Sequence, residues 1–93
     1  DQDAPEIIPN FKNGAVLRGN AVSFVIRDRL SGIGSYRVEI DGHWVLARFD
    51  AKTARLTVPL KEARIKRGIT HKLQITVIDN KGNQTVVKRN FKW

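Results

Sequence analysis

The last quarter of the chain, "THKLQITVIDNKGNQTVVKRNFKW", alternates apolar and polar residues on both sides of the short turn "DNKGN". A period of two describes a strand with one buried side and excludes an amphipathic helix, whose apolar residues recur every three or four positions. Leu73, Ile75 and Val77 mark the buried side of the first run. In the second, Thr85, Val87, Arg89, Phe91 and Trp93 share one face, and Val86, Lys88, Asn90 and Lys92 share the other. Arg89 interrupts the first of those rows, so the last strand is expected to twist, bulge or leave the core near it.

The same period recurs upstream. "AVSFVIR" places Val22, Phe24 and Ile26 together, and "SYRVEI" does the same for Tyr36, Val38 and Ile40, with Arg37 and Glu39 opposite. The dipeptide Asp41-Gly42 then gives the strongest local signal for a two-residue hairpin, so "HWVLARF" is expected to return antiparallel. Leu56, Val58 and Leu60 alternate with Arg55 and Thr57, and Pro59 places that strand along an edge or at its own end. Glu6–Pro9 suits an edge strand or a lead-in. "DRLSGIG" reads as a turn in which Gly32 and Gly34 give the backbone freedom. "KEARIKRG" tolerates a single helical turn, which Gly68 stops. Six to seven short strands and no convincing helix predict an all-β fold, a small antiparallel immunoglobulin-like β-sandwich. The chain has no cysteines, so no disulfide ties the sheets, and the buried-aromatic role is assigned to Tyr36 or Trp44.

Ninety-three residues suffice for one domain spanning 1–93, with 1–5 as linker. A chain of this size buries about 60–65% of its unfolded surface. The opening "DQDAPEIIP" reads as an edge cut from a longer protein. There is no run of apolar residues long enough to span a bilayer and no signal-peptide pattern. Seventeen Lys and Arg against nine Asp and Glu give a net charge of +8, which favours a polyanion: nucleic acid, an anionic glycan, lipopolysaccharide or a charged wall polymer. Arg64, Lys66, Arg67 and Lys72 are expected to converge at one loop-rich end of the sandwich, where such folds commonly bind. Nucleic acid is disfavoured because it calls for aromatic and basic residues in one array. Trp44 and Phe49, read on one strand, have an odd separation that puts them on opposite faces. Trp93 closes the core, enters a neighbouring domain, or is merely the last ordered residue.

Catalytic chemistry finds little support. A hydrolytic zinc site needs three protein ligands and an open position for water, and the only histidines, His43 and His71, have no paired spacing. His43 reads as an exposed or partly satisfied strand residue, and His71 as a group that orients the preceding turn through a backbone hydrogen bond. Ser occurs only at 23, 31 and 35, which supports no nucleophilic triad. Asp41, Asp50 and Asp79 all end strands, where turn chemistry accounts for them without a sugar-hydrolysing acid pair. In "DNKGN", Asp79 or Asn80 can bond to the turn backbone while Gly82 takes positive φ. Calcium wants six to eight oxygens, more than this loop offers, and Asp1 and Asp3 would add ligands only at a domain boundary. No catalytic residue, metal or cofactor is assigned.

From Leu30 through "SGIGSYRVEIDGHWVLARFDAKTARLTV" and again in "GITHKLQITVIDNKGNQT", the sequence resembles the C-terminal immunoglobulin-like domain of secreted zinc endopeptidases of the lysostaphin type from Bacteroidetes. The residues that carry the resemblance are Ile40, Asp41, Gly42 and Trp44, then Asp50, Ala51 and Lys52, and finally His71, Asp79, Asn80, Gly82 and Asn83. Ile69 and Thr70 lengthen the segment before His71 relative to the family pattern. The resemblance implies an accessory domain: the family's zinc, held by two His and one Asp, belongs to a separate domain whose ligand positions have no counterparts here. It also implies a bacterial source, in which the acceptor pattern "NQT" at 83–85 serves as turn and strand.

The expected function is a noncatalytic interaction or scaffold module of a secreted cell-wall-associated peptidase or surface protein. It would lie in the secreted, periplasmic or cell-surface space, with the neighbouring domain of the parent as partner and no transmembrane insertion. Direct binding of peptidoglycan or an anionic glycan is the alternative, and an inhibitory domain that occludes its catalytic neighbour is a third. The candidate interaction surface is Trp44, Arg64, Lys66, Arg67 and Lys72. An exposed aromatic beside Asp, Asn or Arg would favour sugar binding, and an apolar patch continuous with the linker would favour docking.

Overall fold

Alternation in sequence becomes burial in the computed structural model, which describes residues 4–28 and 32–93. Asp1, Asp3, Ser31 and the middle of the "DRLSGIG" turn lie outside the described residues. Among the described residues nine strands run in the order β1 (Glu6–Pro9), β2 (Ala15–Val16), β3 (Ala21–Arg27), β4 (Ile33–Ile40), β5 (His43–Val45), β6 (Arg48–Asp50), β7 (Arg55–Pro59), β8 (Thr70–Asp79) and β9 (Gln84–Lys92). They form two sheets, a smaller one ordered β1-β3-β7-β6 and a larger one ordered β2-β9-β8-β4-β5. This is the immunoglobulin-like sandwich the alternation predicts, with β1 on an edge as Pro5 and Pro9 imply.

Between the sheets, Val22, Phe24 and Ile26 of β3 and Leu56, Val58 and Leu60 of the β7 segment are buried. They meet Val38 and Ile40 of β4, Val45 of β5, Leu73, Ile75 and Val77 of β8, and Phe91 of β9. Phe11 sits edge-on to Phe24 at 5.6 Å and to Phe91 at 6.2 Å between ring centroids, joining the layers where β1 hands over to β2. Such aromatic pairs add about 0.5–1.5 kcal/mol beyond the area they bury. Trp93 closes one end. It is buried, its indole N–H donates to Gly19 O at 2.8 Å, and the Arg67 guanidinium lies 4.4 Å from its ring centroid.

Several features differ from the sequence expectation. The strand count rises to nine because two stretches change sheets. The N-terminal segment pairs first with β3 and then, as β2, parallel to β9, the one parallel pairing among the described residues. Likewise "HWVLARF" is not one strand: β5 pairs with β4, and after Leu46-Ala47 the chain crosses to pair as β6 with β7. Trp44 and Phe49 therefore belong to different sheets, and their odd separation says nothing about faces. Neither Tyr36 nor Trp44 fills the buried-aromatic role, being 38% and 62% exposed. Val45 takes the inward place on β5, while Tyr36 lies near the far end of β4 with its ring 6.0 Å from Phe49. Phe24 and Phe91 hold the centre instead. Arg89 causes no bulge: the β8–β9 register runs unbroken from Ile78↔Gln84 to Thr70↔Lys92, and the half-buried residue turns its guanidinium back to donate to Lys88 O at 3.0 Å. "KEARIKRG" forms turns without a helix, with Arg64 at φ 56°. Pro59 ends β7 beyond the reach of β6, which pairs only up to Thr57.

The irregularity in the larger sheet falls at Gly34. Pairing of β4 with β8 steps from Ile33↔Asp79 to Ser35↔Ile78, leaving Gly34 as the extra residue of a β-bulge. A Cβ there would stand 2.9 Å from the Asp79 carbonyl oxygen, a backbone atom that cannot swing aside. Gly34→Ala is expected to lower stability by about 1–3 kcal/mol. Gly19→Ala, where a Cβ meets nothing within 4 Å, should stay within about 0.5 kcal/mol. Urea midpoints of the two variants at unchanged m-value check the difference.

Candidate functional site

Turn chemistry accounts for each of the three strand-ending aspartates. Asp41, at φ 54°, and Gly42, at φ 84°, make the two-residue hairpin between Ile40 and His43. The Asp50 carboxylate accepts from Lys52 N–H at 2.9 Å. In "DNKGN", Asp79 N–H donates to Asn83 O at 2.9 Å, and Gly82 closes the three-residue loop at φ 89°. The buried Asp79 carboxylate accepts from the Lys81 and Asn83 N–H groups at 2.9 and 2.8 Å and from Asn83 Nδ2 at 3.0 Å. That loop is a hairpin whose carboxylate is engaged by its own backbone. Among the described residues no three His, Cys, Asp or Glu side chains come together to hold a metal ion.

His71 is buried on β8 and clamps three segments. Its Nδ1 lies 2.6 Å from Asp41 Oδ2 and its Nε2 lies 2.6 Å from Lys66 O, while the other Asp41 oxygen accepts from Lys72 N–H at 2.9 Å. Both partners of the ring are acceptors, so both bonds form together only when the imidazole carries both protons. The expected backbone bond to the preceding turn is present. The hydrogen bond to Asp41 is an addition that sequence spacing did not disclose. Burial pushes the Asp41 carboxyl up, but the His71 and Lys72 hydrogen bonds and the nearby imidazoles outweigh it, leaving the group below its ordinary 3.8.

The five residues assigned to an interaction surface do not converge. Arg64 and Lys66 line an end cleft of about 420 Å³ with Asp41, His43 and Ile69. Arg67 is spent on the Trp93 ring. Lys72 and Trp44 both face outward on the larger sheet. Register shows what they share that face with: Trp44 of β5 lies opposite Glu39 of β4, Glu39 opposite Gln74 of β8, and Gln74 opposite Lys88 of β9. Directly opposed residues in a sheet project to the same side, so these four side chains form one row across four strands. The neighbouring row holds Lys72 opposite Asn90. A groove of about 260 Å³ runs between the rows, lined by Glu39, Gly42, Lys72, Gln74, Lys88 and Asn90, with Leu73 also contributing. Arg37, on the same face, bonds the Glu39 carboxylate at 3.2 Å. Lys88, Gln74 and Asn90 escaped the sequence reading because their significance appears only once the strands are paired.

Neither a protein-family model nor a curated protein matches the sequence. Among solved structures, CopC from Methylosinus trichosporium OB3b is similar, with a TM-score of 0.63 and 15% identity over 92% of this chain and 91% of that one. At that identity the likeness extends to the sandwich fold. Among the described residues no helix is long and apolar enough to cross a membrane.

Acid sensitivity follows from the turn carboxylates. Burial raises the Asp79 carboxyl, but hydrogen bonds from the Asn83 side chain and from the Asn83 and Lys81 backbone override it and hold the group at about 2 instead of 3.8. Above the unfolded value both states are ionised and the stabilisation is complete. As pH falls from 3.8 towards 2 the unfolded chain takes up the proton first and stability is lost. In thermal melts the Asp79 contribution should therefore be constant above roughly pH 5 and be lost steeply below 4. Asp79→Asn, which keeps an oxygen for the two N–H groups, should flatten that decline, and an unchanged slope would contradict the assignment.

Proposed function

We propose that the chain is a noncatalytic interaction module of a secreted cell-wall-associated protein, acting in the periplasm or at the cell surface and contacting its partner through the outer face of the larger sheet. The observation that carries this reading is Trp44. A large aromatic side chain that is 62% exposed on a regular strand, opposite a charged residue and beside a groove lined by lysine and amide side chains, contributes little to the core and is available for contact. The resemblance to accessory domains of lysostaphin-type zinc endopeptidases supports the wall association, since Trp44 and the Asp41-Gly42 turn beside it are among the residues that carry it. The surplus of eight positive charges suits an anionic wall polymer.

A second reading, contact with a neighbouring domain of the parent protein, is favoured by a different observation. Tyr36, Trp44 and Leu46 are all exposed beside the short edge strand β5 and line one small cleft. Purified peptidoglycan separates the readings. The isolated chain should be retained saturably at low and at moderate salt, release no soluble fragments, and lose about tenfold in affinity on Trp44→Ala, the size expected for one stacked aromatic contact. No retention at either salt would eliminate direct wall binding and leave the domain contact.

A further inference from the structure

The outer groove carries more chemistry than a general affinity for polyanions. Lys72 and Lys88 sit diagonally on adjacent strands, about 7–8 Å apart at the backbone, and supply two cationic heads, one from each of the rows that flank the groove. Gln74 and Asn90 place an amide next to each of them, offering both donors and acceptors. Glu39, held by Arg37 at 3.2 Å, puts a carboxylate acceptor between these side chains and Trp44. Trp44 then ends the row with a broad apolar ring whose negative π-face attracts the weakly positive C–H faces of a pyranose. From Trp44 to Lys88 the row crosses three strand spacings, about 14 Å, long enough for an extended oligosaccharide lying across the strands.

We infer that this groove, extended by Trp44 at the end of the adjoining row, is a saccharide-binding site for a carboxylate-bearing glycan, in which Trp44 stacks on a sugar ring, Lys72 and Lys88 take the carboxylate, and Gln74, Asn90 and Glu39 bond hydroxyl and amide groups. Glu39 is already paired with Arg37, which leaves two cations of the groove, Lys72 and Lys88, to set the charge density of the ligand. Two cations beside two amides suit a polymer with one carboxylate per sugar and free hydroxyls better than a densely sulfated chain. Gly42 keeps the hairpin side of the groove open, because a Cβ at that position would meet nothing within 4 Å and no side chain projects there. The inference rests on the proposed role as a binding module and specifies its ligand.

Titration calorimetry of the intact chain with polygalacturonate, and with the same polymer after carboxyl reduction, tests it at matched salt. The acidic polymer should bind at least about tenfold tighter than the neutral one. Trp44→Ala should weaken both by about tenfold, and Lys72→Gln with Lys88→Gln should abolish the preference. Arg64→Gln with Lys66→Gln, in the end cleft, should leave affinity within about twofold. Emission from buried Trp93 reports that each variant is folded. Absence of binding to polygalacturonate, equal affinity for the two polymers, indifference to Trp44→Ala, or loss that follows Arg64 and Lys66 would each overturn the assignment. Retention on peptidoglycan alongside any of these results would preserve the binding module while removing its acidic-sugar ligand.

Discussion

The pleat of the strands is the constraint on which everything else in this molecule depends. With no disulfide across the sheets, cohesion comes from alternate residues meeting in the middle, with Phe24, Leu56 and Val58 on one side and Val38, Ile75, Val77 and Phe91 on the other. Each of these is buried as fully as a side chain can be, and a vacancy at any of them would cost the transfer energy plus that of the cavity left behind. A one-residue slip of any strand would exchange its two faces. Register is therefore fixed by the core. The outward row is fixed as a consequence, which is how Trp44, Glu39, Gln74 and Lys88 come to stand in line without touching the interior.

Around that frame the polar residues divide into two populations. Asp41, His71, Asp79 and Asn83 tie turns to strands through short bonds, largely within the molecule, and their chemistry is absorbed by folding. Lys72, Gln74, Lys88 and Asn90 line an open groove and are available to something else. The backbone of Lys72 serves the first population by donating to Asp41, while its side chain belongs to the second. Rigidity in the clamp thereby holds the groove wall in place, since the hairpin that bounds the groove at Gly42 is the one His71 anchors.

How much of this was legible in the sequence depends on whether the information was local. The hairpins were: Asp41-Gly42 sets Ile40 opposite His43 and hence Glu39 opposite Trp44, and the loop before Asn83 sets Gln74 opposite Lys88. The pairing of β4 with β8 was not, because it joins residues far apart in the chain and contains the Gly34 bulge, so the two local pairs could not be joined into one row. The crossing at Leu46-Ala47 was hidden for a related reason. Continuous alternation through "HWVLARF" looks the same whether a strand continues or changes sheets. Arg89 misled in the opposite direction, since a long side chain can keep its inward parity while its guanidinium turns back to the backbone. The cluster expected from Arg64, Lys66, Arg67 and Lys72 dissolved because closeness in sequence around a turn does not fix direction. Arg67 was drawn to the ring of Trp93, and Lys72, one residue past His71, points out of the sheet.

The function proposed above places binding on the outer face of the larger sheet and not at its loops. Amide and indole chemical shifts of the nitrogen-15-labelled chain, followed during titration with solubilised peptidoglycan fragments, address it most directly. The account predicts that the Trp44 indole N–H and the side-chain amides of Gln74 and Asn90 move together, while the Trp93 indole N–H, bonded to Gly19, stays fixed. Shifts centred on His43, Arg64 and Lys66 at the end cleft, with the outer row unmoved, would contradict it.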